Sequence, residues 1–98
     1  MPYVVDAEGA HLAAILRATD FSSKRVLEVG CGEGRLTCGL APLAASVLAF
    51  DPSSEDVALA RAGCPSELRE KVRFEVASAG EIEVPSQSVD LVFFSWSL

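Results

Sequence analysis

Basic residues are scarce in this chain: 8 lysines and arginines stand against 14 aspartates and glutamates, a net charge of −6. A surface of that sign has no basic stripe to neutralise a phosphate backbone, so the composition argues against nucleic acid and anionic membrane as partners. No apolar run approaches the roughly 18 to 20 residues that span a bilayer, and the N-terminus lacks the basic-then-apolar order of a secretory signal. The expected location is the cytoplasm. Only three cysteines occur, Cys31, Cys38 and Cys64. Their number is odd and their spacing is not that of metal ligands, which excludes a disulfide framework and a zinc site and leaves reduced, small side chains. His11 is the only histidine; it falls in a predicted helix with no acid partner, so it reads as a packed or solvated side chain and not as a general base. Internal repeats, low-complexity tracts and long linkers are also missing.

What remains is a chain of 98 residues, 50% hydrophobic and 22% charged, enough for one domain over residues 1–98. Short apolar runs alternate with helical stretches, the pattern of a βαβ fold with a parallel sheet. Residues 1–24 form a helical lead-in, with Asp6 as N-cap and Leu12, Ile15 and Leu16 at helical spacing. Residues 25–98 form the core. Arg25 to Val29 is a first strand buried on both faces, and Arg35 to about Ala44 a crossover helix that Pro42 ends or kinks. Ser46 to Phe50 is a second strand that delivers Asp51 at its C-terminal end. A second helix starts at a serine cap, with Glu55 and Asp56 in its first turn, and stops at Gly63. Val72 to Val76 alternates strictly and suits an edge strand, with Val72, Phe74 and Val76 on the covered face. Val89 to Phe94 is nearly continuous in apolar residues after Asp90 and suits a central strand.

The chemistry concentrates in the string EVGCGEG, where Gly30, Gly32 and Gly34 occupy alternate positions between a predicted strand and a predicted helix. Glycine tolerates positive φ and carries no Cβ, so the backbone can turn tightly and bring its amides close to a ligand. A dinucleotide fold asks for G-x-G-x-x-G to seat a pyrophosphate; here the third glycine comes one residue early and Arg35 stands in its place. Glu28, two residues before the first glycine, puts a carboxylate where a pyrophosphate would lie, repulsive for a phosphate and suited to a cationic ligand.

The strings VLEVGCGEGRLT, LAFDPS and SVDLVFFSWSL resemble the class I, Rossmann-like S-adenosylmethionine-dependent methyltransferases, particularly their small-molecule branch, over about Val26 to Leu98. The resemblance implies a three-layer α/β sandwich whose four visible strands take the order 3-2-1-4. It implies that the loop of Gly30, Cys31, Gly32 and Gly34 cradles the methionine part of S-adenosylmethionine, with Glu28 helping to hold the amino group. It also implies that Asp51, followed by Pro52, binds both ribose hydroxyls, as two acceptor oxygens suit two adjacent donors. Where the family commonly has Asp or Asn after the third strand to accept from the adenine amino group, this chain has Ser78 and Ala79, with Glu81 placed to compensate. Ser95 begins the segment that matches the lining of the methyl-transfer cleft, and Tyr3 belongs to an N-terminal segment that covers the cofactor or frays. Trp96 and the pair Phe93 and Phe94 are core or cleft wall. No residue matches a catalytic acid or base.

These implications amount to methyl transfer to a small-molecule acceptor. The alternatives are a noncatalytic cofactor-binding or assembly module, a nicotinamide dehydrogenase disfavoured by the glycine spacing and Glu28, and an inactive fragment. Four strands are fewer than the family's seven, so the chain is expected to be an N-terminal portion. The last strand is then an open edge, with Phe93 and Phe94 on opposite faces, so the chain is expected to be marginally stable, to self-associate through that edge or to be a fragment of a longer protein.

Overall fold

Arg25–Val29 becomes a strand because Val26, Leu27 and Glu28 are all buried while the flanking residues are not, the pattern of a strand covered on both faces. The computed structural model describes residues 3–6, 20–81 and 89–94. In them, five strands form one parallel sheet: β1 (Tyr3–Asp6), β2 (Arg25–Val29), β3 (Ser46–Asp51), β4 (Val72–Val76) and β5 (Leu91–Phe94), in the order β1-β5-β2-β3-β4. Helix α1 (Arg35–Leu40) connects β2 to β3, and α2 (Ser54–Gly63) connects β3 to β4. The four strands expected from the sequence take the expected order. None of the described helices is long and apolar enough to cross a membrane.

The edge is where expectation fails. Tyr3–Asp6 is a strand that the sequence pattern did not announce, and it pairs with β5 from Tyr3↔Leu91 to Asp6↔Phe94. The row of backbone groups on β5 that was to stay open is thereby paired, and self-association through that edge loses its basis. Tyr3 also stands at the wrong end to cover a ligand: its register neighbours are Leu91 and, beyond it, Val26, at the start of β2, whereas the glycine loop leaves from the end. The helix expected after Asp6 falls on residues 7–19, outside the described residues.

Alternation places Val26 and Glu28 of β2, Val47, Ala49 and Asp51 of β3, Val72 and Phe74 of β4, and Leu91 and Phe93 of β5 on one face. Most of these join Leu40, Val57, Ala60 and Phe21 in a single core cluster. Phe93 is fully buried, worth roughly 1.5–3 kcal/mol, and meets Phe21 edge to face at 5.6 Å between centroids. On the opposite face Leu48, Phe50, Val92 and Phe94 are half-buried. Val76, expected on the covered face, is instead 49% exposed at the tip of β4.

Both helices end by proline. Helix α1 is shorter than expected because Pro42 has no N–H to continue it; the Ala41 amide just before it still donates to the Thr37 carbonyl at 2.9 Å. Gly63 is the final residue of α2 and not a stop beyond it. Cys64 is already extended, as a residue preceding proline must tend to be. The start of α2 is as read: the Ser53 hydroxyl accepts the Asp56 amide at 3.2 Å, with Glu55 and Asp56 in the first turn.

Candidate functional site

The loop between β2 and α1 is built on three positive dihedrals, φ 84° at Gly30, 56° at Gly32 and 86° at Gly34, which L side chains rarely adopt. At Gly34 space is denied as well: a Cβ there would lie 3.1 Å from the Ala60 Cβ and 3.2 Å from the Phe74 ring. That glycine lets α1 start against α2 and β4, so packing alone requires it.

The loop's amides are mostly spoken for within the protein. Gly30 and Cys31 both donate to the Phe50 carbonyl, at 2.8 and 3.0 Å, and Gly34 donates to the Cys31 carbonyl at 3.0 Å. Gly32 donates to Oδ2 of Asp51 at 2.9 Å. The expected row of amides aimed at a ligand is therefore turned inward, stapling the loop to the tip of β3. A loop so wired does not form the concave nest of N–H groups that grips a pyrophosphate, which counts against the dinucleotide alternative on geometry as well as on spacing.

Asp51 ends β3 and is 8% exposed. Its Oδ1 accepts the Ser53 amide at 2.9 Å while Oδ2 takes Gly32. Two bonds fix the plane of a group that can accept about four, so each oxygen keeps acceptor capacity toward the crevice. Val76 is the register partner of Asp51 across the sheet, and its exposed side chain sets an apolar surface beside the carboxylate. Sequence reasoning missed this contribution; an apolar residue at a strand tip that the core does not use is the signal that could have found it.

Glu28 lies beneath the loop, fully buried, between Ala49 and Phe93 in the sheet. The hydroxyl of Thr37, itself fully buried on α1, donates to its Oε1. Thr37 was also missed, although it stands nine residues on, one turn inside the helix that follows the loop. Glu28 and Asp51 share an electrostatic neighbourhood: burial first, then the charges of Glu28 and Asp51, push the Cys31 thiol up to about 12. Cys31 is thus a neutral, buried packing residue whose Sγ lies 3.7 Å from the Gly32 carbonyl.

The remaining expected residues are spread along the same end. Pro52 is exposed directly after Asp51. Ser78 follows β4, and Ala79 opens a short 3-10 turn, Ala79–Glu81. Glu81 folds back so that Oε1 accepts both the Ser78 amide at 2.9 Å and the Ser78 hydroxyl at 2.8 Å; these bonds hold its carboxyl below the usual range. The strip is tied to the rest, because the Ala77 amide donates to the Asp51 carbonyl at 3.1 Å. Ser95 lies outside the described residues. A groove of about 680 Å³ between α2 and β4 is lined by Arg61, Arg69, Phe74 and Glu75 among others, and by no residue of the loop or of Asp51; it is not this site.

Comparison with known proteins gives the family and the fold. A family described as a methyltransferase domain matches residues 26–98. The chain is 35% identical over 82 residues to a ubiquinone biosynthesis O-methyltransferase of Rhizobium etli, covering 71% of this chain and 33% of the relative. It is 39% identical over 62 residues to a magnesium-protoporphyrin O-methyltransferase of Rhodobacter capsulatus, covering 63% and 28%. Among solved structures, an S-adenosylmethionine-dependent methyltransferase of Mesorhizobium loti superposes with a TM-score of 0.73 at 28% identity, over 90% of this chain and 40% of that one. The YcgJ protein of Bacillus subtilis, at 24% identity, shares the fold with a TM-score of 0.76 over 85% and 36%. The chain spans about a third of the length of the curated relatives it matches. With its parallel sheet, its glycine loop and the acid at the tip of β3, the chain belongs to the methyltransferase-domain family, the class I enzymes whose cofactor is S-adenosylmethionine.

Proposed function

We propose that this chain is the S-adenosylmethionine-binding portion of a methyltransferase that acts on a small-molecule acceptor. The observation that carries the reading is the carboxylate of Asp51, fixed by Gly32 and Ser53 at 2.9 Å each, with acceptor capacity left for a vicinal diol. The donor set fits a sulfonium nucleoside. Asp51 takes the ribose hydroxyls, with Pro52 beside it and Val76 as an apolar wall. The turn of Gly30, Cys31, Gly32 and Gly34 supplies a surface close to the backbone for the methionine part. Glu28 acts from under the loop, its charge favouring a cation above through the field and not through contact. Ser78 and the Ala79 amide border the adenine, and the Glu81 carboxylate anchored on Ser78 supplies the charged acceptor that a serine lacks.

S-adenosylmethionine, when bound, supplies a methyl already activated by its positive sulfur. The protein then contributes alignment of the acceptor and exclusion of water, effects worth up to roughly 7–11 kcal/mol in well-oriented systems. Two curated relatives are named as O-methyltransferases of ubiquinone biosynthesis and of magnesium-protoporphyrin, which supports an oxygen on a small molecule as acceptor. The net charge of −6 argues in the same direction, against nucleic acid. Titration calorimetry with S-adenosylmethionine tests the reading. Wild type is expected to bind and Asp51→Asn to bind at least tenfold more weakly, since a hydrogen bond to a charged acceptor is worth roughly 1.5–3 kcal/mol. Equal affinities, or binding of NAD in place of S-adenosylmethionine, would overturn it.

A further inference from the structure

Helices α1 and α2 each carry the chain back from the same end of a parallel sheet, so they run side by side in the same direction. Their first rung of contact is Gly34 against Ala60, near enough that even a Cβ on Gly34 would lie at 3.1 Å. Four residues on, one helical turn in both, stand Cys38 on α1 and Cys64 at the end of α2. This second rung packs Cys38 against the core cluster that holds Ala60 and Cys64, near enough for Cys64 to influence the Cys38 thiol. Both are free thiols in the structure. The close approach at the first rung suits the short Cβ separation, about 3.5–4.5 Å, that a disulfide requires one turn further on.

We propose that Cys38 and Cys64 form an oxidisable dithiol that a hydroperoxide closes to a disulfide, clamping α1 to α2 beneath the glycine loop. Burial, and the neighbouring Cys64, raise the Cys38 thiol above its ordinary value, and Cys64 is the thiol that meets the oxidant. Cys64 lines the groove between α2 and β4, which gives a small oxidant a route to it. Its sulfur takes the distal oxygen of the hydroperoxide as the O–O bond breaks, leaving a sulfenic acid and releasing an alcohol, or water from hydrogen peroxide. The Cys38 sulfur then attacks the sulfenic sulfur; the S–S bond forms, the S–O bond breaks, and the hydroxide leaves as water with the Cys38 proton. Two thiols are oxidised by two electrons and one hydroperoxide is reduced. Cys31 takes no part, because its buried thiol is pushed up to about 12 and a protonated thiol is a poor nucleophile. The inference rests on the helix pair alone and does not depend on which ligand the loop holds.

The three cysteines fall on three separate tryptic peptides, 26–35, 36–61 and 62–69, so peptide mass mapping reads the pairing directly. The folded chain, treated with hydrogen peroxide and then alkylated, is expected to yield the 36–61/62–69 pair with two hydrogens lost. Its thermal midpoint should rise by about 10 °C, reversed by dithiothreitol, because the bridge closes a loop of intermediate length. Cys38→Ser and Cys64→Ala, each folded by circular dichroism, should lose both the cross-link and the thermal rise. A pair containing peptide 26–35, sulfinic acid at Cys38 or Cys64 without a cross-link, or a cross-link that forms only in urea would overturn the proposal.

Discussion

Gly32 donates its backbone amide to Oδ2 of Asp51 at 2.9 Å, joining the middle of the glycine loop to the tip of the neighbouring strand. The bond makes one rigid unit of two features that the sequence sets 19 residues apart. It orients the carboxylate, and it takes an amide that would otherwise face a ligand. The loop is thereby a shaped surface more than a row of donors, and the proposed ribose contact falls to Asp51.

Gly34→Ala is expected to destabilise the chain by about 2–5 kcal/mol. The left-handed backbone at φ 86° costs roughly 1–2 kcal/mol with a side chain, and the contact with Ala60 and Phe74 adds overpacking of roughly 1–3 kcal/mol. Urea unfolding gives the difference, and a loss under 0.5 kcal/mol, within the usual range of a neutral surface change, would show that α1 can move away.

Thr37→Val keeps the shape of the side chain and removes the hydroxyl that donates to the buried Glu28. Loss of a partner to a buried polar group costs roughly 1–3 kcal/mol, so the midpoint in urea should fall, whereas Thr37→Ser should recover most of it. A Val variant as stable as wild type would show that Glu28 does not need the hydroxyl.

Arg25 binds Asp90 by its side chain at 3.1 and 3.2 Å and by its own amide at 2.9 Å, tying the start of β2 to the approach to β5. These bonds hold the Asp90 carboxyl down at about 2. A folded value below the unfolded one, near 3.9, contributes stability that is present above about pH 4 and is lost as pH falls through about 2. Asp90→Asn should therefore remove part of the pH dependence between about 4 and 2, read from urea midpoints at each pH. Identical slopes in the two proteins would contradict the pairing.

Arg61 reaches from α2 to the Phe74 carbonyl with two donors, at 3.1 and 2.6 Å. On β4 the Lys71 carbonyl and the Ala77 amide point at β3, so the groups of Phe74, by alternation, point out along the open edge. The guanidinium caps that edge. Arg61→Ala should leave an unpaired strand and shift sedimentation toward concentration-dependent dimers, which Arg61→Lys should largely prevent. Monomers from both variants at all concentrations would show that the edge needs no cap.

The parts of this structure legible in the sequence are those that local pattern decides. β2 to β5, the serine-capped start of α2 and Asp51 at a strand tip follow from periodicity, cap residues and the glycine loop. The strand at Tyr3–Asp6 was not legible, because four residues carry no period and its partner lies more than 80 positions away, at Leu91–Phe94. In the site, Thr37 and Val76 escaped because each acquires its place only when α1 folds over β2 and when β4 pairs with β3. The use of the loop amides by Phe50 and Asp51 is likewise a tertiary fact. The spacing of Gly30, Gly32 and Gly34 implies a bend, but not which way its donors turn.

The unit of Gly32, Asp51 and Ser53 can be observed directly by amide-resolved nuclear magnetic resonance during titration with S-adenosylhomocysteine, which carries the same nucleoside without the methyl. A ligand diol on the carboxylate should shift the Gly32 and Ser53 amides together, saturably, with little response to NAD. Gly32 and Ser53 signals that stay fixed while others move, or that answer to NAD instead, would contradict the assignment of Asp51 to the ribose.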